Sequence, residues 1–215
     1  LLAAKKSRPE LKIVVIDPRR TATCDGADLH LALRGGTDGI LFNGLLNWLY
    51  RNDCADEAFI REHTRGLEEA LQMAQQFAPS VDAVAGRCGL SVDDVQRFFQ
   101  LFATNERVVT LFSQGINQSS SGTDKGNAII NCHLLTGRVG RAGAGPFSIT
   151  GQPNAMGGRE VGGLSNQLAA HMDIDNPAHR DLVGRFWQTP KIAGEAGLKA
   201  VDLFRRKKPE NARAT

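Results

Sequence analysis

Apolar positions along the chain fall into two short strand-like runs and several helical stripes. Residues 11–16 (LKIVVI) and 107–112 (RVVTLF) are compact apolar runs rich in β-branched side chains, which predicts two buried strands. Elsewhere, apolar residues recur with the helical period of 3.6 residues. This period predicts helices over 39–50, 56–64, 67–78, 91–102, 123–136, 178–188 and 194–206. The order of strand, helices, strand and helix predicts an α/β fold with parallel strands and right-handed crossovers.

Glycine residues are distributed unevenly along the chain. The chain has 23 glycines in 215 residues, and they are concentrated between Gly137 and Gly163. We expect this segment to lack regular structure, and a long irregular segment in a compact domain is normally functional or disordered. Residues 17–36 and the polar stretch 113–122 are also predicted to be loops.

Composition limits the class of protein. With 41% hydrophobic and 23% charged residues, the chain has the balance of a folded protein. A net charge of +3 without a long basic run predicts neither a nucleic-acid nor a membrane partner. The four cysteines form no C-x-x-C pair, so we expect no metal ligands and reduced thiols in a cytoplasmic protein. The first residue, Leu1, suggests a cut within a larger protein.

The first candidate site follows the first predicted strand. Ligands of open α/β sheets bind beyond the carboxyl ends of the strands. There Ile16 is followed by Asp17, Pro18, Arg19 and Arg20. The carboxylate can accept hydrogen bonds from a purine edge or a ribose, and the arginines can bind phosphates. An Asp-Pro turn with solvated arginines explains the same spacing equally well.

Two further loops offer polar groups to a ligand. Gly36, Thr37 and Asp38 precede a helix, where backbone N–H groups favour an anion, although a Gly-Gly pair before a helix is more often a simple turn. The loop after the second strand carries Gln114 and Gln118. Its neutral donors and acceptors suit a large polar ligand, but a solvated connector fits it as well.

The strongest candidate is the glycine-rich stretch 145–163, GPFSITGQPNAMGGREVGG. Gln152, Asn154, Arg159 and Glu160 lie among small residues that allow the backbone to approach a ligand closely. An arginine in such surroundings can bind an oxyanion. The apolar residues in the same stretch favour an anchored binding segment over a flexible linker.

These segments together resemble the prokaryotic molybdopterin oxidoreductases. The resemblance is carried by IDPRRT, RGGTDG, SQGINQSSSGTDKGNAIINCHLLTGRVGRAGAGPFS and, above all, TGQPNAMGGREVGG. Within that superfamily, GREVGG is typical of the nitrate-reducing branch, and the preceding NAMGG is closer to assimilatory than to periplasmic enzymes. The resemblance covers most of 11–175.

The resemblance implies a cofactor and roles for the candidate residues. Molybdenum would be held by two molybdopterin guanine dinucleotides, with a [4Fe–4S] cluster in the full enzyme and neither group bound to this piece alone. Residues 16–20 and 36–38 would hold the guanosine and phosphate end, with Asp17 and Asp38 recognising the guanosine. Gln114 and Gln118 would approach the pterin, and Arg159 would be catalytic, close to molybdenum and nitrate.

The same resemblance implies an organisation and partners. We expect a Rossmann-like parallel-sheet region at 1–112, a cofactor- and substrate-facing segment at 113–175 and a helical segment at 176–215. The partners would be nitrate, an electron-donor protein or reductase subunit, and the remainder of the catalytic subunit. Two alternatives stay open: another oxidoreductase of the superfamily, such as a formate dehydrogenase, and a non-catalytic scaffold subunit with the same fold.

Overall fold

The computed structural model describes residues 1–149, 151, 154–162, 166–198, 202–203 and 205. The chain consists of two compact units, Leu1–Ile149 and Thr150–Thr215. The elements in chain order are α1 (Leu2–Ser7), β1 (Val14–Ile16), a 3-10 helix (Ala22–Gly26), β2 (Leu29–Leu31), α2 (Asp38–Arg51), α3 (Glu57–His63), α4 (Leu67–Phe77), α5 (Val81–Cys88), α6 (Val92–Thr104), β3 (Val109–Phe112), α7 (Gln114–Asn117), α8 (Gly122–Leu135), β4 (Gly145–Ser148), α9 (Ala155–Glu160), a second 3-10 helix (Ala169–His171) and α10 (Pro177–Trp187).

The first unit is organised around α2, whose apolar side is buried against α4, α5, α6 and α8. Leu41, Leu45 and Leu49 of α2 are fully buried, as their helical spacing predicts. Gly44 allows close packing, because a Cβ there would overlap Val84 of α5. Among the described residues, no helix is long and apolar enough to cross a membrane.

The strands of the described residues form two separate parallel pairs. β1 pairs with β2, with Ile16 opposite Leu31, and β3 pairs with β4, with Phe112 opposite Ser148. The structure therefore confirms a mixed α/β chain with small parallel sheets. The two strands expected from the apolar runs lie in different sheets, each beside a strand that the sequence patterns did not predict.

Several boundaries differ from the sequence predictions. The segment 17–36 was expected to be a loop but contains β2, because Leu29 and Leu31 bury their side chains in the core. The helix α5 was not predicted, although Ser80 caps it by accepting a hydrogen bond from the Ala83 N–H. The helix α6 begins after Ser91, as predicted, with the same type of cap.

The glycine-rich segment is more regular than predicted. It contains β4 and α9, and Asn154 caps α9 by accepting a hydrogen bond from the Gly157 N–H at 3.0 Å. In the second unit, α10 confirms the helix expected over 178–188, whereas 194–198 are not helical. The rest of the helix expected over 194–206 falls mostly outside the described residues.

Candidate functional site

The Asp17 turn lies at the carboxyl edge of the first sheet. Its main chain is fixed to β2, because the Asp17 N–H donates to the Leu31 carbonyl at 3.2 Å and the His30 ring nitrogen Nε2 lies 2.9 Å from the Asp17 carbonyl oxygen. One carboxylate oxygen of Asp17 accepts from the Arg19 N–H at 2.7 Å. This is an Asp-Pro turn, as the simpler interpretation predicted, but it leaves the other carboxylate oxygen at the sheet edge.

The arginines of this turn face solvent. Arg19 and Arg20 are exposed, and Arg20 lies 3.3 Å from the Asp25 carboxylate in an exposed ion pair. Such a pair contributes little to stability, so the Arg20 guanidinium stays available to a phosphate. The turn therefore offers one acceptor and two cations, the set required by a ribose or base followed by phosphates.

The second candidate segment starts at the same edge, because β2 runs parallel to β1 and the chain continues from Leu31 toward Gly36. Gly36 has a φ of +87°, and a Cβ there would meet no neighbour within 4 Å. This open, left-handed glycine leaves the backbone accessible. Thr37 directly precedes α2, but its hydroxyl donates to the Arg34 carbonyl at 2.7 Å and does not cap the helix.

Asp38 contacts a buried lysine, Lys125, which was not among the site residues predicted from the sequence. The Lys125 ammonium of α8 lies 2.8 Å from the Asp38 carboxylate, and the lysine side chain is only 8% exposed. The signal was in the sequence: Lys125 precedes Ala128, Ile129 and Cys132 at helical spacing, so the charge stands on the apolar stripe of α8.

The polar segment 113–118 lies at the carboxyl edge of the second sheet. It forms the short helix α7, with Gln114 and Gln118 exposed. The Asn117 amide donates to the Ser148 hydroxyl at 2.8 Å, and the Ile149 N–H donates to the Phe112 carbonyl at 2.7 Å. The segment is thus anchored at its base, with its glutamine side chains directed away from the core.

In the second unit, Arg159 lies near the end of α9 and its side chain is exposed. Its carbonyl oxygen accepts from the Gln167 side chain at 2.9 Å, which fixes the main chain. Within the described part of the chain, its guanidinium has no carboxylate partner, whereas neighbouring Glu160 pairs with His171 at 2.8 Å. Gln152 lies outside the described residues.

Arg138 is buried for a structural reason. Arg138 donates to the Phe102 carbonyl at 2.9 Å and the Asn105 carbonyl at 2.6 Å, which caps the end of α6. Burial lowers the pKa of Arg138, and the nearby Arg141 acts in the same direction. All four cysteines are free thiols, and the described residues contain no cluster of three potential metal ligands.

Comparison with known proteins defines the class. The family model of the molybdopterin oxidoreductases matches residues 1–210, so the chain belongs to the molybdopterin oxidoreductase family. In a solved structure, acetylene hydratase from Pelobacter acetylenicus, the same fold recurs with a TM-score of 0.60 and 26% identity, over 66% of this chain and 19% of that one.

Within the family, the chain is similar to nitrate reductases. It is 48% identical over 204 residues to a nitrate reductase of Shewanella frigidimarina, covering 95% of this chain and 22% of the relative. It is 50% identical over 204 residues to a nitrate reductase of Klebsiella oxytoca, covering 95% of this chain and 23% of the relative. A periplasmic nitrate reductase of Desulfovibrio desulfuricans is 36% identical over 211 residues, covering 93% and 28%. The chain thus spans about a quarter of the length of these relatives, and its resemblance to the nitrate-reducing branch is confirmed.

Proposed function

We propose that this chain is part of the molybdenum-containing catalytic subunit of a nitrate reductase that reduces nitrate to nitrite. The similarity to nitrate reductases supports this function, and the exposed Arg159 guanidinium is the structural observation that carries it. We assign the enzyme to the assimilatory, cytoplasmic type, with a [4Fe–4S] cluster and an electron-donor protein or reductase subunit as partners of the full-length protein.

The residues at the first sheet edge fit the nucleotide end of a molybdopterin guanine dinucleotide. Asp17 presents a free carboxylate oxygen for ring or ribose donors, and Arg19 and Arg20 present cations for the phosphates. Gly36 leaves room for close approach of the backbone. Ile16, Pro18, Thr37 and Asp38 complete the contact segments of the proposal.

The remaining segments take the other parts of the ligand. Gln114 and Gln118, exposed at the second sheet edge, are proposed to contact the pterin. Residues 1–112 would then form a Rossmann-like dinucleotide-binding region with the rest of the protein, 113–175 the cofactor- and substrate-facing segment, and 176–215 a helical segment. When bound, the molybdenum cofactor would supply the two electrons that convert nitrate to nitrite.

Arg159 is proposed to bind nitrate. Nitrate is a planar anion, and a guanidinium offers two parallel N–H donors that match two of its oxygens. The guanidinium would also offset the negative charge that remains on the substrate, and more strongly once the rest of the full-length protein shields the site from water. Gly158 directly precedes the arginine, and a Cβ there would meet no neighbour within 4 Å, so an anion could approach this turn of α9 closely.

The test replaces Arg159 in the full-length enzyme. We expect Arg159→Lys to retain normal molybdenum content but to lower kcat/KM for nitrate by roughly tenfold to a thousandfold, with Arg159→Ala worse, since the lysine keeps the charge without the planar fork. Arg185→Ala is the matched control, because Arg185 is an exposed arginine of the same unit that already pairs with Asp181. Near-wild-type kcat/KM in both Arg159 variants would make Arg159 a structural residue.

A further inference from the structure

Lys125 is a buried lysine whose ammonium contacts the partly exposed carboxylate of Asp38. It lies in the first turn of α8, and its ammonium contacts the carboxylate of the first residue of α2, Asp38, at 2.8 Å. The lysine side chain is 8% exposed and that of Asp38 is 20% exposed. The lysine of this ion pair is therefore shielded from solvent, whereas the carboxylate is accessible to a ligand. Asp38 lies two residues after Gly36, whose backbone is also accessible.

Electrostatics do not favour a lysine at this position for stability alone. The first turn of a helix carries the positive end of the helix dipole, which disfavours a cation. Burial adds a desolvation cost, and an apolar side chain of similar volume in place of a buried ion pair is often neutral or stabilising. Such a side chain would continue the stripe of Ala128, Ile129 and Cys132. We therefore look for the role of Lys125 in its effect on the position of the Asp38 carboxylate.

We propose that Lys125 is a positioning residue that fixes the Asp38 carboxylate for the nucleotide end of the cofactor. The inference rests on the proposed function, in which Asp38 contacts that end. Lys125 holds the Oδ2 atom of Asp38, which leaves Oδ1 to accept hydrogen bonds from N–H or O–H groups of the nucleotide. Asp17 differs, because its carboxylate is held by the Arg19 N–H of its own turn.

The decisive test exchanges the two charges in the full-length enzyme, combining Asp38→Lys with Lys125→Asp. The exchange keeps an ion pair between the same two helices. The interaction with the helix dipole becomes less favourable at the start of α2 and more favourable at the start of α8, so the melting temperature should stay close to that of the wild type. The nucleotide would now meet an ammonium in place of an acceptor. We expect the guanine nucleotide and molybdenum retained per protein after dialysis to fall by roughly tenfold, as the loss of a hydrogen bond to a charged group implies.

Single variants keep the test decisive if the exchanged protein does not fold. Lys125→Met leaves Asp38 unheld and should lower nucleotide and molybdenum content by roughly tenfold, whereas Lys125→Arg preserves the cation and should restore most of it. Arg185→Met is the matched control, because it breaks an ion pair of similar length, 3.0 Å to Asp181, in the helical segment that is given no cofactor contact. Its cofactor content should equal that of the wild type.

The outcomes separate this inference from the proposed function. Full cofactor content in the charge-exchanged enzyme, or in Lys125→Met with only a lower melting temperature, would show that the pair merely joins α2 to α8 and would overturn the inference. In that event, Asp17→Ala decides the rest. Reduced nucleotide content in Asp17→Ala would leave the proposed cofactor site standing, and unchanged content would remove it as well.

Discussion

The two parallel sheets are built from similar apolar segments but are buried to different extents. In the first sheet, Leu29 and Leu31 of β2 are buried in the core, where β2 contacts α6. In the second sheet, Val109, Leu111 and Phe147 are 47%, 58% and 50% exposed. These three residues lie on one face, since Val109 pairs with Gly145 and Leu111 pairs with Phe147.

The difference shows what an apolar run does and does not determine. A β-branched run favours a strand, but burial depends on which elements cover the two faces of the sheet. The second sheet is covered on one face, where β4 contacts α8 and the Thr110 hydroxyl lies 2.8 Å from the His133 ring nitrogen Nε2. The prediction that 107–112 forms a buried strand is therefore wrong for its outer side chains.

The largest expected effect contrasts one leucine from each sheet. Leu31 is fully buried, so Leu31→Ala should lower the free energy of unfolding by about 2–5 kcal/mol, through lost burial and the cavity left behind. Leu111→Ala makes the same chemical change at an exposed position and should stay within about 0.5 kcal/mol. Urea unfolding of both variants of the chain measures the contrast. Equal losses would show that Leu111 is as well packed as Leu31.

The second prediction concerns the covered face of the β3–β4 sheet. Burial lowers the pKa of His133 to about 4, with the Arg138 charge acting in the same direction, so the imidazole is neutral in the fold. The unfolded chain has the ordinary histidine pKa near 6.5 and binds the proton first. Stability contributed by His133 is therefore complete above about pH 6.5 and is lost as the pH falls toward 4.

The expected size of this effect is about 2 kcal/mol between about pH 7.5 and about pH 5. His133→Gln is the control, because glutamine does not titrate and can still hydrogen-bond to Thr110. Urea unfolding of both proteins at the two pH values isolates the contribution of His133. A pH dependence that is the same in wild type and variant would mean that His133 titrates normally in the fold.

The helices of the first unit could be predicted from the sequence, and the sheets only in part. α2 and α6 follow from apolar period and first-turn chemistry, both local signals. β2 has only three residues and β4 contains Gly145 and Pro146, so neither carries a strand pattern. Both strands form because each pairs with a parallel strand and contacts a neighbouring helix. Such tertiary contacts cannot be predicted from a short stretch of sequence.

The candidate site was predictable as segments but not as an arrangement. The polar residues after the two predicted strands do lie at sheet edges, which follows from the geometry of parallel sheets. The partner of Asp38 did not follow, because Lys125 lies 87 positions later and its contact depends on how α8 packs on α2. The roles assigned to these residues and to Arg159 stay predictions until the variants are measured.

The smallest expected effect concerns Asp28, which lies beside the β1–β2 sheet. Its carboxyl group titrates at lower pH than His133. The Asp28 carboxylate joins the starts of both strands, because it accepts from the Ile13 N–H at 2.8 Å, directly precedes β2 and pairs with Lys5. The hydrogen bond from Lys5, and then that from Ile13, lower the pKa of Asp28 below its ordinary 3.8. The stability contributed by a carboxyl with a lowered pKa is present above 3.8 and is lost as the pH falls below it.

Asp28→Asn should therefore lower the free energy of unfolding by about 1 kcal/mol at neutral pH, less than a fully buried charged hydrogen bond because solvent reaches the pair. The wild type should lose this advantage only below about pH 4, where His133 has already reached its full effect. Salt should reduce the Asp28 contribution, since the pair with Lys5 is partly exposed. Urea unfolding of both proteins at neutral pH, at steps between about pH 6 and about pH 5, and near pH 3, each at low and high salt, measures these differences. An Asp28 contribution that disappears near pH 6, together with that of His133, would show that the two sheets do not titrate separately.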